Sequence, residues 1–227
     1  MGSLPETVVV LLVRTPVPGR VKTRLAAAIG GEEAYCLYRA MVGDILSNIK
    51  GCGLPVALFH DGPADGALPQ PWLDAAVAVR LQRGADIGER MAAAFADCFA
   101  AGSTQVILAG SDIPDLDAGR VLKARIALAT HDAALAPAVD GGYGLIALKR
   151  ERYRPELFCD VPWSTRQVLP VTLQRFAHCG LDVHLLPVLR DIDTLADLLA
   201  YGQNPCPAAT ATNQTIAQLL TKTDFAA

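Results

Sequence analysis

Apolar, strand-like runs recur along this chain at 8–13, 55–59, 77–81 and 106–109, with helically spaced segments between the first two and between the last two. The unbroken β-branched and leucine residues of 8–13 are the pattern of a strand buried on both faces, as parallel strands are. Strands alternating with amphipathic helices are the rhythm of βαβ units. The spacing predicts helices over about 25–49, broken near Gly30 and Gly31, over 87–100, where a run of alanines suits close packing on a sheet, and over 116–129.

Beyond that point the character changes. Ala133 to Ala138 and Tyr143 to Leu148 flank the glycine turn Asp140-Gly141-Gly142, which predicts an antiparallel element in a mainly parallel sheet. Residues 61–72 read as a turn-rich loop and 202–214 as an irregular linker to a short terminal helix. The expected organisation is therefore one domain over 1–203 and a tail over 204–227. No internal repeat is visible.

The 227 residues are enough for one sizeable α/β core, and 52% hydrophobic residues can fill it. No window reaches the 18 or so uninterrupted apolar residues of a membrane span, so neither membrane insertion nor a membrane partner is expected. A net charge of -3 argues against a general nucleic-acid binder. The residues after Met1 lack the basic stretch of a secretory leader, which predicts a cytoplasmic protein. Six cysteines, at 36, 52, 98, 159, 179 and 206, form no CxxC pair, and most have apolar sequence neighbours, which predicts buried free thiols. The four histidines are scattered, with no HxxxH pair, and the GxSxG, GxGxxG and GxxxxGK[ST] motifs are all absent.

Charge is unevenly spread. Arg14, Arg20, Lys22 and Arg24 fall within eleven residues, between a buried strand and the start of a helix. Pro16, Pro18 and Gly19 stiffen and bend this loop, and the carboxyl end of a parallel strand is where open α/β sheets bind ligands. An anionic, phosphate-bearing ligand is expected there, although a solvated basic loop would have the same composition. After the strand at 106–109 come Ser111 and Asp112, again at the ligand edge. Asp112 suits a Mg²⁺ or Mn²⁺ ligand, because such hard ions take one or two carboxylates plus substrate phosphate oxygens; standing before Ile-Pro, it also suits a helix cap, the reading that Asp115 and Asp117 suit.

Asp191 and Asp193 alternate about Ile192, so in extended chain both face one way, and Thr194 or Asp193 can cap the helix that follows. Asp193 completes a two-carboxylate site if its segment returns to the same sheet edge. Asp140, on its glycine turn, reads either as a sugar-hydroxyl acceptor or as a hairpin residue. Trp163 stacks on a ligand, or packs ahead of a helix capped by Ser164 or Thr165. Gly84, Asp86, Gly88, Glu89 and Arg90 follow the third strand and can border a base or ribose.

Four segments together, 16–25, 110–116, 137–148 with 161–165, and 191–198, resemble the DUF2064 group of nucleotide-diphospho-sugar transferase-like proteins, some of them labelled arsenosugar-biosynthesis glycosyltransferases. The resemblance covers about residues 7–200; more distantly the chain is similar to phospholactate and molybdenum-cofactor guanylyltransferases. It implies a three-layer α/β/α sandwich, Rossmann-like, with a mixed, mostly parallel sheet of glycosyltransferase-A type. It also implies a nucleotide held by Arg14, Pro18, Gly19, Lys22, Arg24, Gln82 and Gly88, with Arg14 standing where many members carry Lys. Asp112 and Asp193 would hold Mg²⁺ or Mn²⁺, with Lys22 and Asp140 joining Asp112 in catalysis. The sugar or acceptor would meet Asp140, Gly141, Gly142, Tyr143, Trp163 and Ser164. The leading expectation is a metal-dependent glycosyltransferase acting on a nucleotide-diphospho-sugar and a small acceptor. The alternatives are a nucleotidyltransferase that joins a nucleoside triphosphate to a phosphorylated small molecule, and a nucleotide-binding module without turnover.

Overall fold

The computed structural model describes residues 3–62 and 67–222. Among the described residues seven strands form one sheet: β1 (Thr7–Val13), β2 (Val56–His60), β3 (Ala76–Leu81), β4 (Gln105–Gly110), β5 (Ala133–Pro137), β6 (Tyr143–Lys149) and β7 (Val183–Leu185). Their spatial order is β3-β2-β1-β4-β6-β5-β7. The first four in this order run parallel, β6 is antiparallel to both its neighbours, and β5 and β7 pair in parallel. This is the mixed, mostly parallel sheet that the sequence pattern and the resemblance predict, with the antiparallel strand directly after the glycine turn.

The helices are α1 (Thr23–Ile29), α2 (Gly31–Gly51), α3 (Gln70–Ala75), α4 (Ile87–Ala100), α5 (Ala118–Ala127), α6 (Val168–His178), α7 (Leu195–Gln203) and α8 (Thr210–Lys222). β1 shows how they are held. Val9, Leu11 and Val13 point into one core with Tyr38, Val42 and Ile45 of α2 and Val121 of α5. Val8, Val10 and Leu12 point into the other with Phe95 and Phe99 of α4 and Phe176 of α6. The two-residue period of a strand thus feeds both layers, so its sequence reads as unbroken apolar. Truncating fully buried Leu11 to alanine would cost about 2–5 kcal/mol.

Gly30, at φ 102, separates α1 from α2, as its position in the sequence predicts. Side-chain caps set other starts: Asp86 accepts from the Glu89 amide, Asp117 from the Arg120 amide, and Thr194 forms a capping box with Asp197. Asp115 does not act as a cap; it is 1% exposed and paired with Arg190. α3 begins inside the segment read as loop, 61–72, and runs three residues past it, because Pro69 and Pro71 masked the start of a six-residue helix. α8 packs against α2 and α7, and Asp44 of α2 accepts from the amides of Ala211 and Thr212. Of the cysteines only Cys98 and Cys206 are buried; Cys36 lies on the exposed side of α2, and Cys159 and Cys179 stand exposed just past the ends of helical segments, places that apolar sequence neighbours do not reveal. Among the described residues no helix is long and apolar enough to cross a membrane.

Candidate active site

A cleft of about 340 Å³ opens at the carboxyl ends of the parallel strands. Arg14 enters it just after β1, Asp61 after β2, Gln82 after β3 and Asp112 after β4. The β5–β6 turn supplies Asp140 and Gly142, β6 supplies Tyr143, and Trp163 and Ser164 line the same cleft with Asp191 and Asp193. Five carboxylates therefore face the opening, against the guanidinium groups of Arg14 and Arg90. An anionic ligand would meet net repulsion there without a further cation.

The sharpest feature is a three-residue charge cluster. Lys22 Nζ lies 2.8 Å from Asp112 Oδ1 and 3.1 Å from Asp193 Oδ1, and the lysine side chain is 2% exposed while each carboxylate is 42% exposed. Lys22 holds φ 50, a left-handed conformation uncommon for a side-chain-bearing residue and strained in the way functional sites often are. The ammonium expected to meet phosphate is thus set between the two carboxylates expected to meet metal.

Backbone pairing brings Asp193 to this edge. Ala138 bridges Leu189 in parallel, the Leu189 amide donates to the Pro137 carbonyl at 2.8 Å, and the Ile192 amide donates to the Asp112 carbonyl at 3.2 Å. Ile192 turns into the protein and is fully buried, leaving Asp191 and Asp193 on the cleft side. Burial pushes the Asp191 carboxyl up to about 6, helped by the negative charges of Asp193 and Asp140. Among the described residues no three His, Cys, Asp or Glu converge as a closed metal cage. Two convergent carboxylates, each partly open to solvent, fit the mode in which Mg²⁺ or Mn²⁺ shares its coordination with substrate phosphates.

Tyr38 of α2 braces the floor. The Arg14 amide donates to its hydroxyl at 2.8 Å, and that hydroxyl lies 3.0 Å from Ser111 Oγ, joining the exits of β1 and β4. Burial and the nearby Asp112 charge push the phenol pKa far up, keeping it neutral. Nothing in the sequence separates this tyrosine from an ordinary core aromatic. Arg14 itself is exposed at the cleft mouth, whereas Pro18, Gly19 and Arg24 are exposed outside the cleft lining.

Gln82 Nε2 donates to the carbonyls of Val13 at 2.9 Å and Phe59 at 2.8 Å, tying strand ends together while it lines the cleft. Gly88 is buried beneath Trp163, where a Cβ would come 2.5 Å from the indole Nε1. Trp163 meets Tyr143 edge-on at 6.3 Å. It therefore packs and faces the cleft at once. Asp140 accepts from the Gly142 amide at 2.8 Å, the geometry of a turn residue, yet stays on the cleft wall. Gly141 holds φ 95 against the Arg166 backbone, and its carbonyl accepts from the Leu169 amide at 3.0 Å. Ser164 is at φ 63, and Thr165 donates to the Pro162 carbonyl, so neither caps α6.

Residues 48–165 match the family model described as "Uncharacterized protein conserved in bacteria (DUF2064)". A provisionally named nucleotide-diphospho-sugar transferase from Desulfovibrio desulfuricans G20 has a similar structure, with TM-score 0.87 and 32% identity, covering 96% of this chain and 98% of that one. The fold is shared with 4-diphosphocytidyl-2C-methyl-D-erythritol synthase from Anaerococcus prevotii DSM 20548, at TM-score 0.58 and 10% identity, over 87% of this chain and 98% of the other. It is shared too with Rv0371c from Mycobacterium tuberculosis H37Rv, whose structure is a complex with manganese, at TM-score 0.51 and 16% identity, over 88% and 98% respectively. No curated protein matches the chain in sequence.

Proposed function

The chain belongs to the DUF2064 family, and from that premise we propose that it is a metal-dependent transferase that takes a nucleotide-diphospho-sugar and passes the sugar to a small acceptor. The observation that carries this reading is the meeting of Asp112 and Asp193 around one point at the carboxyl end of β4. These two carboxylates would hold Mg²⁺ or Mn²⁺, which supplies charge stabilisation as a diphosphate leaves. The manganese complex of Rv0371c supports a metal in this fold.

The protein's own groups divide the remaining work. Arg14 and Arg90 line the cleft and would neutralise the donor's phosphates. Lys22, held by both carboxylates, keeps them close together and carries positive charge beside the reacting phosphates. Asp140, beside Gly142, Tyr143, Trp163 and Ser164, would accept a proton or hydrogen bond from a sugar or acceptor hydroxyl. Gln82, after β3, lines the cleft and would border the base, while Gly88, buried under Trp163 in the first turn of α4, would back that wall rather than touch the ligand.

Nucleotidyl transfer from a nucleoside triphosphate is the second reading. The cluster of Lys22 with two carboxylates, together with Arg14 and Arg90 lining the same cleft, also suits a triphosphate that releases pyrophosphate. A thermal-shift screen of nucleoside triphosphates and nucleotide-diphospho-sugars, with and without Mg²⁺ or Mn²⁺, separates the two, because a native-state ligand raises the melting temperature by mass action. A metal-dependent shift confined to a nucleotide-sugar is expected. Preference for a free triphosphate would favour nucleotidyl transfer, and metal-independent shifts would favour a non-catalytic module.

A further inference from the structure

We propose that Arg190 and Asp115 form a positioning clamp that sets Asp193 opposite Asp112; the proposal rests on reading those two carboxylates as the metal site. Asp115 lies three residues beyond Asp112, and Arg190 three residues before Asp193. The guanidinium grips Asp115 with both prongs, Nε to Oδ2 at 2.8 Å and Nη2 to Oδ1 at 2.7 Å, and the Arg190 amide adds a third bond to Oδ2 at 3.2 Å. Neither residue lines the cleft, and Asp115 is 1% exposed.

A carboxylate buried this deeply must be paired, which explains why Arg190 is there. The fork does more than pair charge. Two parallel bonds to one carboxylate fix orientation as well as distance, which a lysine ammonium cannot do. The clamp is anchored in turn: the Arg190 guanidinium lies 4.8 Å over the Tyr201 ring, and its Nη1 donates to the Asn204 carbonyl at 2.8 Å. Tyr201 is itself buried and accepts from the Cys206 amide at 3.0 Å. The segment between α7 and α8 thus backs the site through one arginine.

Beyond the clamp, the Asp193 segment touches the Asp112 loop through the Ile192 amide bond to the Asp112 carbonyl and the two carboxylate contacts of Lys22. The Ala138–Leu189 bridge is an isolated one, not a strand pair. The clamp is what holds the two segments in register.

The test is Arg190→Lys, which keeps the charge and removes the fork, with Asp193→Asn as background. Amide hydrogen exchange is followed at Ile192, and Mn²⁺ affinity is measured by electron paramagnetic resonance. In Arg190→Lys the Ile192 amide should exchange at least tenfold faster while β1 amides are unchanged, and Mn²⁺ should bind at least tenfold more weakly. In the Asp193→Asn background, Arg190→Lys should cause no further loss of Mn²⁺ affinity. A lower melting temperature with unchanged Ile192 exchange, or faster exchange with unchanged Mn²⁺ affinity, would overturn the clamp. Absence of Mn²⁺ binding by the wild type would instead remove the metal reading, with the exchange result still judging the clamp.

Discussion

Replacing Gly141 by alanine isolates the contact that holds the β5–β6 turn in place. Gly141 has φ 95, and a Cβ built there would lie 2.7 Å from the Arg166 Cα and 2.8 Å from its carbonyl oxygen, backbone atoms that cannot rotate aside. Gly180, just beyond α6, has φ 66 but open space around the same position. Both substitutions carry the conformational penalty of a left-handed backbone, about 1–2 kcal/mol. Gly141→Ala adds overpacking against backbone, about 1–3 kcal/mol more, and strains the Leu169 to Gly141 hydrogen bond. The total is about 2–5 kcal/mol, against about 1–2 for Gly180→Ala. Urea unfolding of the wild type and both variants measures the difference directly, provided the slopes agree. Equal destabilisation by the two substitutions would refute the account of how this turn is packed.

Other outcomes follow from individual contacts. Gly88→Ala should displace the indole of Trp163 and alter its fluorescence and the ligand-induced shift, because a Cβ there would come within 2.6 Å of several ring atoms; unchanged emission would contradict that packing. Thiol titration should find Cys36, Cys159 and Cys179 reacting fast in the native protein, with Cys98 and Cys206 reacting only on unfolding. Burial pushes the Cys98 thiol up to about 12 from an ordinary value of 9.0, so the unfolded chain loses this proton first. Stability from Cys98 is therefore full below pH 9 and is lost as pH rises towards 12, a loss that Cys98→Ala should remove from a pH series of melting curves. Asp115→Ala leaves a partly buried guanidinium without its carboxylate and should cost about 2–4 kcal/mol by denaturant melting, below the range for a fully buried pair because Arg190 is 31% exposed.

Much of this architecture is written into local pattern. β1, β2 and β4 carry unbroken apolar runs because both faces of the central sheet are covered, and the glycine turn at 140–142 announces the single antiparallel strand. α3 and β7 escaped because six and three residues are too few for a period to show, and tertiary contacts define them. In the site, Asp112 was legible from its place after a strand. Asp193 was legible only as a candidate, since its return to the sheet edge rests on the Ala138–Leu189 bridge and the Arg190–Asp115 pair, long-range contacts that no spacing encodes. The commitment of Lys22 to both carboxylates, the brace of Tyr38 and the Asp115–Arg190 pair all join distant positions, so residue type alone carried no signal for them.

On the proposed function, Asp112 and Asp193 make nucleotide binding depend on a divalent metal. Isothermal titration with a nucleotide-diphospho-sugar, in Mn²⁺ and in chelator, for wild type, Asp112→Asn and Asp117→Asn tests it most directly. Asparagine caps a helix as well as aspartate does, so the two substitutions separate metal binding from capping. Mn²⁺-dependent binding is expected in the wild type and in Asp117→Asn, and its loss in Asp112→Asn. Undiminished Mn²⁺-dependent affinity in Asp112→Asn would contradict it.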